Sequence, residues 1–225
     1  MAGEEVDFYG SSEFLYQLEA FPPYRYAAGP VRVAVQPGDH VIDCGACYGD
    51  TALLFAASAG EDGRVLSFEP HPDIGRLFQR NRDLNPRLAR RMTLLPAATG
   101  ETAGGTAAFS LCGPGSHLDH SNPRLQRADI PVTSIDAETE RLGWPRVDFI
   151  KMDVEGAELA TLKGAERTLR RFRPRLAVCL YHSPEDFFRI PRFLVECDLG
   201  YRFYLEHHFM NGWETVLYAL PVAAC

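Results

Sequence analysis

The sequence predicts an α/β protein with a mostly parallel sheet and helices on both faces. Short apolar runs alternate along the chain with segments whose apolar residues recur at helical spacing, the pattern of strand–helix–strand units. The 225 residues are enough for one such domain, and we expect residues 1–36 to form an N-terminal cap and residues 37–225 the α/β core. Four of the apolar runs end on polar side chains: Asp43, Glu69, Asp153 and His182.

The predicted elements of the first half alternate strand and helix. A strand at His40–Ile42 closes on Asp43 and precedes a helix at Thr51–Ala59, which Gly60 ends. The cap, which precedes this strand, contains one amphipathic helix at Glu13–Leu18. After the helix at Thr51–Ala59 come a strand at Arg64–Phe68, a helix from about Asp73 to Leu84 and a strand at Met92–Leu95.

The second half continues the alternation. Segment 99–127, rich in Gly, Ser and His, predicts a hairpin with a mobile loop. Apolar periodicity predicts one helix over 159–172, and Ser183-Pro184 opens a later helix that Pro191 kinks or splits. The predicted strands are Val147–Met152, Leu176–Leu180 and a final antiparallel pair, Tyr201–Leu205 and Glu214–Ala219, joined through Asn211-Gly212.

Composition and charge exclude several classes of protein. Hydrophobic residues make up 46% and charged residues 24% of the chain, which excludes disordered and collagen-like sequences. The net charge of −7 argues against a nucleic-acid partner. No apolar run approaches the ~18 residues that span a bilayer, and the acidic N-terminus does not fit a signal peptide. We therefore expect a cytoplasmic protein with free thiols and no membrane association, its oligomeric state left open.

A glycine-containing turn follows the first strand of the core. Asp43, Gly45 and Gly49 form the pattern D-x-G-A-x-x-G, in which glycine lets the backbone turn tightly and approach a ligand, and the next helix begins with free N–H donors. Glu69 ends the neighbouring strand, where a carboxylate can take both hydroxyls of a ribose. Dinucleotide oxidoreductases prefer G-x-G-x-x-G, and an acid inside the turn suits an ammonium group better than a pyrophosphate. These residues favour S-adenosylmethionine (SAM) over NAD.

The chain resembles the FkbM family of methyltransferases, a branch of the class I SAM-dependent enzymes, over roughly residues 30–220. The segments that carry the resemblance are VIDCGACYGDTA at 41–52, FEPHP at 68–72, FIKMDVEGAEL at 149–159, YHSPED at 181–186 and HHFMNGWETVLYA at 207–219. The D-x-E-G-x-E element that begins at Asp153 is the most specific. Cys47 departs from the family, which commonly has a polar residue there, often Asn. The resemblance implies a Rossmann-like sheet of seven strands, SAM as cofactor and, most often, methylation of a hydroxyl on a sugar or secondary metabolite, as in natural product biosynthesis.

The resemblance also implies which residues bind the cofactor. The glycine turn and the first residues of the helix after it would contact SAM, and Glu69 with Pro70 would hold its ribose. Ala98 would lie near the adenine, and Asp153 with Glu155 would face the methionine moiety or the acceptor. The full expected set is Asp43, Gly45, Ala46, Gly49, Asp50, Thr51, Glu69, Pro70, Ala98, Asp153 and Glu155. Glu158 is expected to support the packing of its helix.

A hydroxyl acceptor loses a proton, so a general base within hydrogen-bond reach is expected. His182 is the first candidate because it leaves a strand at the ligand-binding edge, although a helix-capping role is equally open; His207, His208 and Asp153 are the alternatives. Asp153 and His182, with His207 nearby, could instead bind a divalent metal, which we do not expect. Carboxyl or amine methylation of a small molecule or peptide, and SAM binding without catalysis, remain open as functions.

Overall fold

The computed structural model describes residues 3–10, 23–111, 113–115, 126–208 and 215–222. The strands are β1 (Tyr26–Ala28), β2 (Val31–Val33), β3 (His40–Cys44), β4 (Arg64–Phe68), β5 (Met92–Leu95), β6 (Ala98–Thr99), β7 (Thr106–Leu111), β8 (Gln126–Thr133), β9 (Phe149–Met152), β10 (Arg175–Cys179), β11 (Tyr201–His207) and β12 (Thr215–Pro221). The helices are α1 (Asp50–Ala59), α2 (Pro72–Leu84), α3 (Pro86–Ala89), α4 (Ile135–Leu142), α5 (Glu158–Lys163), α6 (Glu166–Phe172) and α7 (Asp186–Glu196).

The centre of the fold is a seven-stranded sheet in the order β11-β12-β10-β9-β3-β4-β5. Neighbouring strands from β5 to β10 are parallel, whereas β12 is antiparallel to both β10 and β11. The predicted mixed sheet with an antiparallel last strand is therefore confirmed. Because β12 is antiparallel to both of its neighbours, β11 runs in the same direction as β10. The carboxyl ends of the six strands other than β12 therefore lie along one edge of the sheet.

Helices cover both faces of this sheet, as the apolar runs predict. The strand residues alternate between two cores: Val41 and Phe149 pack with Phe55 of α1, while Ile42 and Ile150 belong to the opposite core. That opposite core also contains apolar residues of α5, α6 and α7: Leu162, Leu169, Ile190 and Leu194. Burial on both faces explains why β3 and β9 read as nearly unbroken apolar runs.

The helix predicted over 159–172 is two helices, and a long-range contact explains the break between α5 and α6. The backbone N–H of Asp136 donates to the carbonyl of Gly164 at 2.9 Å. The Asp136 carboxylate accepts from the backbone N–H groups of Arg167 and Thr168 at 2.9 and 2.7 Å. Helix α4, about 30 positions earlier in the sequence, thus pairs with backbone groups that a continuous helix would have paired internally, and local periodicity cannot reveal this.

Other elements differ in smaller ways. Helix α7 begins at Asp186, and it continues through Pro191 without splitting. The hairpin predicted within 99–127 is β7 and β8, which join β6 in a small three-stranded sheet. The β1–β2 ribbon near the N-terminus was not predicted. The predicted cap helix at Glu13–Leu18 and the predicted Asn211-Gly212 turn lie outside the described residues, and so do residues 116–125 of segment 99–127, for which a mobile loop was predicted. Among the described helices, none combines the length and the apolar character that crossing a bilayer demands.

Candidate active site

The glycine turn after β3 is held between the ends of two neighbouring strands. The backbone N–H groups of Gly45 and Ala46 both donate to the carbonyl of Phe68 at the end of β4, at 3.0 Å. Gly45 has φ +79°, and a Cβ there would lie 1.8 Å from the carbonyl oxygen of Asp153, beyond the end of β9. The turn therefore requires glycine for two reasons, its left-handed backbone and the closeness of the β9 end.

Glu69 lies against this turn. Its two carboxylate oxygens accept from the backbone N–H groups of Cys47 and His71, at 2.9 and 2.8 Å. The side chain is buried, and that burial raises the pKa of the carboxyl to about 7 against the lowering effect of the two hydrogen bonds. His71 is in turn fixed, because its Nδ1 accepts from the N–H of Asp73 at the start of α2. The predicted ribose-binding acid is thus held rigidly beside the glycine turn.

The Asp43 carboxylate is held by partners inside the protein. It is fully buried; its Oδ2 accepts from the Thr51 hydroxyl at 3.0 Å, and its Oδ1 lies 3.3 Å from the ammonium of Lys151. Lys151, on β9, is also buried and donates to the carbonyls of Cys44 and Gly45 at 3.2 and 2.5 Å. Burial opposes the ammonium charge, but the carboxylates around it, Asp43 foremost, hold its pKa above the ordinary value. This ion pair fixes the backbone at the start of the turn.

A second group of polar side chains lies at the ends of β9 and β10. Both oxygens of Asp153 accept hydrogen bonds at 2.9 Å, from the hydroxyls of Tyr24 and Tyr181. The Nε2 of His182 lies 3.5 Å from Asp153 and 3.4 Å from Glu155, and its Nδ1 lies 2.8 Å from Oε1 of Glu158. The four residues Asp153, Glu155, Glu158 and His182 are called the rim cluster below. The structure therefore brings three of the predicted site residues together and adds Glu158.

The charges of the rim cluster favour ionised side chains. Burial lowers the pKa of His182, but Glu158, Asp153 and Glu155 outweigh that effect and raise the pKa to about 9. Burial likewise works against the charge of Asp153, yet Lys151, His182 and the two tyrosine hydroxyls hold its pKa below the ordinary value. Without a ligand, His182 is therefore an imidazolium beside the Asp153 carboxylate at neutral pH.

The remaining predicted residues lie on several elements of the fold. Gly49, with φ +83°, precedes α1, and Asp50 is the buried first residue of that helix, where burial raises its pKa to about 6. Pro70 is half-buried beside Glu69, and Ala98 is buried in β6. His207 ends β11 at the sheet edge that carries the rim cluster, but its Nδ1 pairs with the Thr215 hydroxyl at 2.7 Å, and in the described part of the chain no hydrogen bond or ion pair joins it to the rim cluster.

Sequence reasoning missed two residues that fix the site, Lys151 and Tyr24. Lys151 carried a signal, since it interrupts an apolar strand and is one of only two lysines in the chain. Tyr24 carried none: it comes from the N-terminal segment, it has φ +62°, and its hydroxyl reaches Asp153 across 129 positions of sequence.

The sheet order, the glycine turn after the first core strand and the acid after the second define a class I methyltransferase fold. The model of the methyltransferase FkbM domain matches residues 43–203. The chain therefore belongs to the FkbM methyltransferase family. No protein among curated sequences matches it.

Solved structures agree with this assignment. The FkbM methyltransferase of Methylobacillus flagellatus is 27% identical with a TM-score of 0.65, over 91% of this chain and 48% of that one. This chain thus spans about half the length of that relative. Fibrillarin of Aeropyrum pernix, solved with natively bound SAM, is 15% identical (TM-score 0.54, 85% of this chain, 70% of that one). A SAM-dependent O-methyltransferase of Thermotoga maritima is 14% identical (TM-score 0.51, 85% and 62%). The last two share the fold alone.

Proposed function

We propose that the chain is a SAM-dependent methyltransferase that methylates a hydroxyl on a sugar or secondary metabolite. One observation carries the proposal: in a chain of the FkbM family, a glycine turn with no room for a side chain lies between a fixed carboxylate, Glu69, and the polar rim cluster. Such an edge offers a place for an adenosine at one end and for a reacting oxygen at the other.

The residues present fit SAM. The backbone of Gly45, Ala46 and Gly49 would lie along the cofactor, beside Asp50 and Thr51 at the start of α1. The carboxylate oxygens of Glu69 each have a lone pair left for a ribose hydroxyl after the backbone hydrogen bonds. The rest of the proposed set is Asp43 behind the turn, Pro70 by the ribose, Ala98 near adenine, and Asp153 with Glu155 toward the methionine moiety.

The acceptor would lie at the rim cluster. Bound SAM supplies an electrophilic methyl group, so the protein has to align the acceptor oxygen with it, an effect able to supply several kcal/mol and up to ~10 in ideal cases. A general base adds typically ~100-fold or more. His182 is the proposed proton acceptor in its neutral form, whose share rises as the pH approaches its pKa of about 9. Because the surrounding carboxylates favour the charged ring at neutral pH, Asp153 and His207 are tested alongside it.

The test measures release of S-adenosylhomocysteine (SAH) from SAM with hydroxyl acceptors, against carboxyl and amine acceptors of the same skeleton. Turnover on hydroxyls alone is the expected result. Turnover only on carboxyls or amines would overturn the assignment of the acceptor, and SAH binding without turnover on any acceptor would make the chain a SAM-binding protein. His182→Ala is expected to cut turnover while leaving SAH affinity nearly intact; unchanged turnover would move the role of base to His207, His208 or Asp153.

A further inference from the structure

The rim cluster contains a set of side chains that metal ions bind. One ligand atom each from Asp153, Glu158 and His182 lies within 4.8 Å of the other two. Metal–ligand bonds of about 2.0–2.2 Å in a tetrahedral or trigonal arrangement put ligand atoms roughly 3.3–3.8 Å apart, so side-chain movements of up to about 1 Å bring all three onto one ion. Glu155 lies beside them, 3.4 Å from Nε2 of His182.

Several buried polar atoms of this cluster have no hydrogen bond within the described chain. The side chain of His182 is only 8% exposed, and neither ring nitrogen completes a hydrogen bond of acceptable angle within the described chain, although carboxylates lie 2.8–3.5 Å away. Glu158 is fully buried; its Oε1 accepts from the N–H of Val154 at 2.9 Å, while its Oε2 has no hydrogen bond. Buried polar atoms of this kind call for a specific partner, such as a water molecule or an ion.

The chemistry of the cluster identifies that partner as a cation. Carboxylate oxygens offer lone pairs, and an imidazole nitrogen offers one when a bound metal ion displaces its proton, so a shared cation satisfies these groups together and an anion does not. The two tyrosine hydrogen bonds leave lone pairs on the Asp153 oxygens. Lys151, the nearby ammonium, already pairs with Asp43. One imidazole with carboxylates suits first-row ions such as Mn²⁺ or Zn²⁺ better than Mg²⁺ or Ca²⁺, which prefer oxygen alone.

We propose that Asp153, Glu158 and His182 form a binding site for a first-row divalent cation at the carboxyl ends of β9 and β10. From the sequence we expected no metal and a packing role for Glu158; the Glu158 carboxylate lies 2.8 Å from Nδ1 of His182, and this position changes both interpretations. The site goes beyond the proposed function. A bound cation makes His182 a ligand and removes it as a proton acceptor, so the two roles of this residue are alternatives.

The experiment titrates Mn²⁺ into the full chain after a chelator has been removed by dialysis. Free Mn²⁺ is followed by electron paramagnetic resonance, and pulsed measurements detect nitrogen coupling from an imidazole ligand. We expect one Mn²⁺ per chain with a nitrogen coupling, and a weaker response to Mg²⁺. His182→Ala should abolish the coupling, and His182→Ala and Glu158→Gln should each weaken binding at least about tenfold.

His207→Ala is the matched control, because it removes an exposed histidine from the same sheet edge and should leave Mn²⁺ binding unchanged. Circular dichroism checks folding; if a buried substitution prevents folding, Asp153→Asn replaces it. Absence of stoichiometric binding, or equal affinity in the wild type and the folded cluster variants, would overturn the proposal. SAH binding is measured on the same samples, so that failure here remains distinct from failure of the proposed function.

Discussion

Lys151→Met removes the buried ammonium that pairs with Asp43 and donates to two carbonyls of the glycine turn. The substitution leaves Asp43 as a fully buried carboxylate whose Oδ1 has no hydrogen bond, and it releases the carbonyls of Cys44 and Gly45. Removing one partner of a buried pair typically costs about 3–5 kcal/mol. At roughly 2–4 °C per kcal/mol for a domain of this size, the expected fall in Tm is about 6–20 °C.

The double variant Asp43→Asn/Lys151→Met distinguishes the contribution of the ion pair to stability from the contribution of side-chain packing. Because no uncompensated charge remains buried, it should recover much of the lost stability, with a coupling free energy of about 0.5–3 kcal/mol. Stability is measured by urea unfolding and thermal melts. Lys163→Met is the control, since Lys163 is largely exposed and pairs with an exposed glutamate, and it should stay within about 0.5 kcal/mol of the wild type. A Lys151→Met loss no larger than that of Lys163→Met, or strictly additive losses, would refute the reasoning.

Two further predictions concern the cofactor side. Burial raises the pKa of Glu69 to about 7, so this side chain gains a proton and loses its negative charge as the pH falls through neutrality. The Kd for SAH, measured by calorimetry, should therefore rise about tenfold from pH 8 to pH 6. Glu69→Gln should bind SAH weakly and without this pH dependence, and a wild-type Kd that does not change with pH would contradict the role of Glu69. Gly45→Ala places a Cβ 1.8 Å from the carbonyl oxygen of Asp153 and should abolish SAH binding. Gly143→Ala is the control, because Gly143 is left-handed as well but has open space around it; it should cost only about 1–2 kcal/mol of stability and bind SAH normally. Equal behaviour of the two variants would contradict the close approach.

Local patterns sufficed wherever one segment determines its own structure. The strands at Arg64–Phe68 and Met92–Leu95 have the predicted bounds, and the glycine turn and Glu69 meet at the predicted sheet edge, because alternation and strand ends are local signals. The break at Gly164 could not be predicted from periodicity, since it depends on Asp136.

The same limit applies to the candidate site. Lys151 pairs with a residue 108 positions earlier and Tyr24 reaches Asp153 from the N-terminal segment. Glu158 was predicted to be a packing residue because the sequence indicates its helix but gives no sign of its contact with His182. Roles set by side chains that meet in space require the structure.

Calorimetric titration of the folded chain with SAH, with NAD as the control ligand, tests the central claim most directly. A Kd in the micromolar range for SAH and no heat with NAD is the expected result. Absence of SAH binding, in protein whose circular dichroism and cooperative melt establish a folded state, would contradict the account, because the glycine turn and Glu69 would then bind some other ligand or none.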